Sequence, residues 1–134
     1  MRGVIQLIDA QTDVVLIPRL RLAIHFWSRF RGLQLSPPLA GDEGLLLAPC
    51  RSVHTQFMRF AIDIYFCSAT GTVLSRKLNA KPWISVAANR NASFAIETPA
   101  RENPLLEVGQ TIFLAGDEIK KLSGHRHLAS VIKS

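Results

Sequence analysis

The sequence predicts a mostly β domain of the α+β class, built as a small β-barrel or a bent antiparallel sheet with one or two short helices. Three observations support this prediction. Large apolar residues alternate with other residues over 58–66, short apolar runs recur along the chain, and turn-forming residues separate them. The 134 residues correspond to the size of one ordinary domain, so a single domain over 1–134 with one core is expected.

Two strands and one helix are predicted in the N-terminal part. VIQLI at 4–8 and VVLI at 14–17 are apolar runs, and the polar DAQTD between them is typical of a short hairpin connection. Pro18 ends the second strand because it has no N–H to donate. RLRLAIHFWSRFRG at 19–32 has apolar residues at helical spacing, and its last residue, Gly32, suits a helix end. We therefore predict a helix of about ten residues here, with a strand as the alternative because the first half also alternates.

The central part contains the clearest strand signal. GLLLAP at 44–49 has the length and composition of a short buried strand. From Met58 to Phe66 every second residue is large and apolar, which predicts a strand with one face in the core. Arg59 and Asp63 are then expected on the opposite face.

The remaining elements follow from turns and alternation. SATG at 68–71 predicts a turn, and TVLSRKL at 72–78 the returning strand of a hairpin. Residues 79–91 are expected to be irregular, whereas ASFAIETPA at 92–100 predicts a strand. A last strand is predicted from Thr111 to Leu114, and a basic tail over about 120–134, with GHRH at 124–127 in solvent.

Composition and charge narrow the classes of function. The net charge of +6 favours acidic partners, but the basic residues are scattered and no nucleic-acid-binding motif is present, so no specific nucleic-acid partner is expected. The apolar runs are too short for a membrane span, and the N-terminus lacks a signal-peptide core, which predicts a cytoplasmic protein. Cys50, Cys67 and His54 do not form a paired ligand set, so neither a metal nor a cofactor is predicted.

A series of motifs carries a family resemblance. They are RFRGL at 29–33, EGLLL at 43–47, SVHTQFMRFAIDIYF at 52–66, GTVL at 71–74, KPW at 81–83 and the IETPA run. In order and spacing they resemble family 192 of the domains of unknown function, over about residues 12–115. The resemblance implies a compact β-rich domain of bacteria and archaea and no established activity. The chain departs from the family pattern at Ile84 and Arg101, where relatives tend to carry a basic residue and a glycine.

Seven residues form the candidate site. Thr55, from the SVHT motif, and Trp83, from the KPW motif, are two of them. The other five are polar and match family motif positions: Arg31, His54, Arg59, Asp63 and Glu97. In a structural interpretation the carboxylates pair with the arginines across strands, and His54 and Thr55 satisfy backbone groups. In a binding interpretation a groove near His54, Arg59 and Trp83 recognises a partner peptide or a small anionic ligand.

A catalytic interpretation makes His54 the acid or base of a small hydrolase-type or transferase-type enzyme. The sequence contains no nucleophile elbow, HExxH motif or phosphate-binding glycine loop. We therefore predict a non-enzymatic binding or accessory module, and keep the enzyme as the alternative.

Overall fold

Short apolar runs fold as strands through most of the chain. The computed structural model describes residues 5–24, 39–56, 58–117, 119–122 and 124–133. The strands are β1 Ile5–Asp9, β2 Val15–Ile17, β3 Arg19–Ala23, β4 Glu43–Leu47, β5 Ser52–His54, β6 Ile62–Cys67, β7 Val73–Ala80, β8 Val86–Ala88, β9 Phe94–Pro99 and β10 Ile112–Gly116. Two 3-10 turns, Ile119–Leu122 and Ala129–Val131, follow them. The predicted β-rich class is confirmed.

The strands form three sheets, which do not close into a barrel. The largest has the order β3-β4-β9-β6-β7, a second the order β10-β1-β2, and β5 pairs with β8 alone. The predicted hairpins β1–β2 and β6–β7 are present and antiparallel. β3 and β4 run parallel, so the large sheet is mixed. The sequence had predicted only antiparallel pairing.

The start of the predicted helix is a strand. Arg19–Ala23 pairs with β4, and in it Leu20 is buried while Arg19 and Arg21 are exposed. The alternation of RLRL suits this edge position, because a strand places successive side chains on opposite faces. Pairing with β4 thus overrides the helical spacing over residues 19–23. Residues 25–32 of the predicted helix lie outside the described residues.

The predicted strand over 58–66 begins later than expected. Residues 58–61 are a bend and its flanks, and the strand is β6, Ile62–Cys67. All six of its residues are buried, since β9 and β7 flank the strand and apolar side chains cover both faces. The prediction that Asp63 lies on an outer face is therefore wrong. Asp63 is buried, whereas Arg59 lies in the exposed bend before the strand.

The large sheet separates two hydrophobic clusters. One contains Tyr65, Phe94 and Ile96 from this sheet, and Leu7 and Leu114 from the β10-β1-β2 sheet. The other cluster joins the opposite face of the large sheet to the β5–β8 pair. Its members include Leu45, Ile64, Ala95, Val53 and Met58. Two elements beside β6 and two packed faces explain why this strand contains almost no exposed side chain.

The C-terminal segment packs against the domain. Leu122, Leu128 and Val131 are buried in the first cluster, and the N–H of Lys133 donates to the carbonyl of Leu114. The prediction of a solvated basic tail over 120–134 is thus corrected for these residues. Apolar residues spaced between basic ones give the segment a buried side and a charged side. No helix among the described residues is both long and apolar enough to cross a bilayer.

Candidate functional site

Thr55, directly after β5, holds the loop that contains Trp83. Its hydroxyl Oγ1 donates to the carbonyl of Lys81 at 2.6 Å and accepts the N–H of Ser85 at 3.0 Å. Its backbone N–H donates to the Ser85 carbonyl at 2.9 Å, and its carbonyl accepts the N–H of Trp83 at 2.8 Å. Thr55 is fully buried. One side chain and its backbone therefore fix both ends of the 81–85 loop.

Replacing Thr55 with valine should lower the free energy of unfolding by about 2 kcal/mol. Valine keeps the shape of the side chain but leaves the Lys81 carbonyl and the Ser85 N–H without their partner. Urea unfolding measures the loss, and hydrogen exchange of the Ser85 amide should accelerate. Thr70→Val, in an exposed turn where the hydroxyl contacts only Ser68, is the control and should change stability little. Equal stabilities of the two variants would contradict the role of Thr55.

The loop held by Thr55 exposes three large apolar side chains. Trp83 has φ of 74°, a left-handed conformation that is unfavourable for a bulky residue. The bond from its N–H to Thr55 helps to hold that conformation. The exposed fractions are 55% for Trp83, 78% for Ile84 and 72% for Val86. Apolar residues clustered at the surface are typical of an interaction site.

An open groove of about 410 Å³ lies between the end of β7 and this loop. Lys77, Asn79 and Lys81 line it together with Ile84, Ser85 and Val86. The groove therefore combines two ammonium groups with an apolar wall. The prediction of an irregular 79–91 is corrected here, because β7 continues to Ala80 and β8 forms within that segment.

His54 lies beside the groove. In the register of β5 and β8, His54 is directly opposite Val86, so the two side chains share one face of the pair, and both are exposed. Arg59 is exposed in the bend before β6 and does not line the groove. Arg31 lies outside the described residues.

Asp63 bonds to the backbone and not to an arginine. Its Oδ1 accepts the N–H of Asn79 at 2.8 Å, and its Oδ2 accepts the N–H of Arg101 at 3.2 Å. Asn79 has φ of 51°, and the β6–β7 register shifts between Ile62 and Ile64, which marks a β-bulge. Asp63 thus stabilises the bulge that shapes the groove side of β7. Within the described part of the chain, its carboxylate forms no ion pair.

Glu97 is the second buried carboxyl group. It lies in β9 between Leu45 of β4 and Ile64 of β6, and only 3% of it is exposed. Its Oε1 accepts no hydrogen bond. Burial raises the pKa of Glu97 from 4.5 to about 7. Glu97 is therefore a group that exchanges a proton near neutral pH from inside an apolar layer.

Sequence reasoning missed the lysines of the groove. A signal was present, because polar residues occupy every second position at Lys77, Asn79 and Lys81, a spacing typical of a strand. The run from Trp83 to Val86 is apolar at three of four positions. Treating 79–91 as irregular hid both patterns.

The arrangement suits binding better than bond cleavage. Among the described residues, no hydrogen bond joins His54 to a carboxylate that could orient it or to a nucleophile. No group of three potential metal ligands occurs in those residues. Lysine ammonium groups beside aliphatic and aromatic surface can instead hold an acidic group together with apolar neighbours.

The model of one protein family, DUF192, with the description "Uncharacterized ACR", matches residues 7–113. The chain belongs to this family. The family assignment agrees with the resemblance read from the SVHTxxMRxxIDxxF string. DUF192 is an uncharacterised family, so membership brings no activity with it.

Similar proteins extend the comparison. A UPF0127 protein of Thermococcus sibiricus is 33% identical over 100 residues, which are 69% of this chain and 62% of the relative, so the chain spans about 62% of that protein's length. A crystal structure of a protein of unknown function from Novosphingobium aromaticivorans matches with a TM-score of 0.68 and 17% identity, covering 81% of each chain. One from Sinorhizobium meliloti, described provisionally as a transcription regulator, matches with a TM-score of 0.65 and 22% identity, covering 84% of this chain and 91% of the other. These structures share the fold of this DUF192 chain.

Proposed function

We propose that this DUF192 protein is a non-enzymatic binding module that recognises an acidic ligand, a partner peptide or a small anion, through the groove between β7 and the Trp83 loop. One observation carries the proposal: Lys77 and Lys81 line the same open groove as Ile84 and Val86, whose side chains are exposed. Charge and apolar surface are combined there in a segment that Thr55 holds in place.

The electrostatic part alone would bind weakly. An ion pair between exposed groups contributes about 0–1 kcal/mol, so two lysines do not make a tight site. Apolar contacts add more, because covering exposed apolar surface contributes about 25 cal/mol per Å². A ligand that presents acids beside apolar side chains uses both terms. An affinity on the order of micromolar fits a groove of this size.

His54 supports the same assignment. Its ring lies on the face that carries Val86, where an N–H can donate to a carboxylate bound along the groove. Arg59 enters the proposal only as an exposed cation near the start of β6. The catalytic alternative for His54 has no orienting acid among the described residues to support it.

Nucleic-acid binding is less favoured than acidic-ligand binding. The likeness to the Sinorhizobium meliloti structure is one of fold alone, at 22% identity. The groove offers two lysines beside apolar side chains, whereas nucleic-acid surfaces are strongly basic over a wider area. A labelled single-stranded oligonucleotide therefore serves as a comparison ligand in the binding test.

Charge reversal at both lysines should weaken binding by at least tenfold. The ligand is a fluorescent peptide nine residues long in which Glu alternates with Val, and anisotropy measures its affinity for the wild type and for Lys77→Glu/Lys81→Glu. The control is Arg21→Glu, an exposed cation at the opposite edge of the same sheet. The control variant should bind as the wild type does.

Competition separates the two kinds of acidic ligand. Free glutamate, citrate and phosphate should displace the peptide if the site recognises a small anion, and fail to do so if apolar side chains are needed. Unchanged affinity of the double lysine variant would overturn the proposal. Tighter binding of the oligonucleotide than of the acidic peptide would overturn it as well.

A further inference from the structure

β7 forms one edge of the five-stranded sheet. Near its start, the N–H of Val73 donates to the carbonyl of Gln110 and its carbonyl accepts the N–H of Gly109, so the outer side is covered there. For residues 74–80, the backbone–backbone hydrogen bonds are with β6 alone in the described part of the chain. The last part of β7 therefore presents unpaired backbone groups toward its outer side.

The open edge and the groove coincide. Lys77 and Asn79, which line the groove, belong to the unpaired part of β7. The groove lining also includes Val86 of β8, a strand that pairs with β5 alone. A chain lying in the groove is thus adjacent to backbone donors and acceptors as well as to lysine side chains.

We propose that the acidic ligand is an extended segment of a partner protein that adds a strand to the outer edge of β7. This inference rests on the proposed function and names its ligand. Strand addition derives affinity from main-chain hydrogen bonds and selectivity from alternate side chains. Lys77 and Lys81 both line the groove, so acidic residues of the partner segment can pair with them, while its apolar residues contact Ile84 and Val86.

The lysines also explain how such an edge remains selective. Lysine side chains and bulges protect exposed edges from pairing with other strands, and β7 has both, with the bulge at Asn79. A neutral or basic strand would have to bury or face uncompensated ammonium groups. An acidic strand neutralises the ammonium groups on binding. The lysines that disfavour pairing with most strands therefore allow pairing with acidic strands.

Backbone methylation of the peptide tests strand addition directly. In an edge pairing only every second N–H of the added strand points to the protein. Two methylated versions of the Glu–Val peptide are compared. One carries N-methyl groups on the Glu residues, and the other, of opposite parity, carries them on the Val residues. Methylation in one parity should weaken binding by about thirtyfold or more, while the other parity changes the affinity by less than about threefold.

Protein amides give an independent measurement. Hydrogen exchange should slow on peptide binding at those amides of residues 74–80 whose N–H points away from β6. Amides in β3, the other edge of the same sheet, should stay unchanged. Equal effects of the two methylation parities, or unprotected β7 amides in the complex, would overturn strand addition. If these results occur while the double lysine variant still weakens binding, the proposed function stands without strand addition. If the unmethylated peptide fails to bind, both proposals fall.

Discussion

Replacing Asp63 with alanine is expected to lower the free energy of unfolding by about 3–5 kcal/mol. The carboxylate is fully buried and accepts the N–H of Asn79 in the β7 bulge and the N–H of Arg101 after β9. Alanine removes both charge-assisted bonds and leaves two backbone donors without partners. The left-handed conformation of Asn79 loses its support at the same time. Urea unfolding followed by far-ultraviolet circular dichroism measures the change.

Two variants calibrate this result. Asp63→Asn keeps one acceptor oxygen and should lose about half as much stability. Asp42→Ala removes a carboxylate whose ion pair with Arg19 is largely exposed, and should cost much less stability than Asp63→Ala. If Asp63→Ala cost no more than Asp42→Ala, the carboxylate would not hold the bulge, and a role in ligand contact would become the better explanation.

The free energy of unfolding is expected to fall as pH rises from about 5 to 8, and Glu97→Gln should remove most of that slope. Burial raises the pKa of Glu97 from 4.5 to about 7, so the folded chain keeps a proton that the unfolded chain releases. Below pH 4 both states are protonated and Glu97 has no effect. Between the two pKa values stability is lost at about 1.4 kcal/mol per pH unit, to a total of roughly 3 kcal/mol above pH 7.

Glutamine keeps the shape of Glu97 and cannot ionise, so the variant should be more stable than the wild type at pH 8 and nearly equal to it at pH 4.5. Glu107→Gln, an exposed acid that pairs with Arg76, is the control and should leave the slope as it is. Denaturant unfolding at five pH values provides the measurement. A variant with the wild-type slope would show that Glu97 ionises normally in the fold.

The seven candidate residues were identified by sequence with unequal success. His54 lies opposite Val86, and Trp83 directly precedes Ile84 of the groove lining, while Arg59 does not line the groove. That His54 and Trp83 bind a ligand stays a prediction. Asp63 and Glu97 were expected to pair with arginines. Asp63 bonds to backbone donors, and the Oε1 of Glu97 has no hydrogen-bond partner among the described residues. Arg31 lies outside those residues, so its pairing with a carboxylate stays a prediction. Residue type identified the polar side chains, but the sequence does not show which atoms are their hydrogen-bond partners.

The β-hairpins were predictable for local reasons. In β6 and β7 the apolar residues are near one another in sequence, and the connecting SATG turn needs only Gly71, whose φ is +88°. The apolar residues of β1 and β2 are also near one another in sequence, and in their connection Asp13 has a positive φ of 60°. The helix predicted over 19–32 failed in its first residues because the strand alternative was decided by β4, more than twenty residues away.

The sequence by itself determined that this DUF192 chain is β-rich, where most of its turns lie and that its charge favours acidic partners, because these properties depend on neighbouring residues and on composition. The tertiary structure decided that β6 is buried on both faces, that Asp63 supports a bulge and that Lys77 and Lys81 line one groove with Ile84 and Val86. Each of these depends on pairings between distant strands, whose register fixes which side chains and backbone groups come within bonding distance.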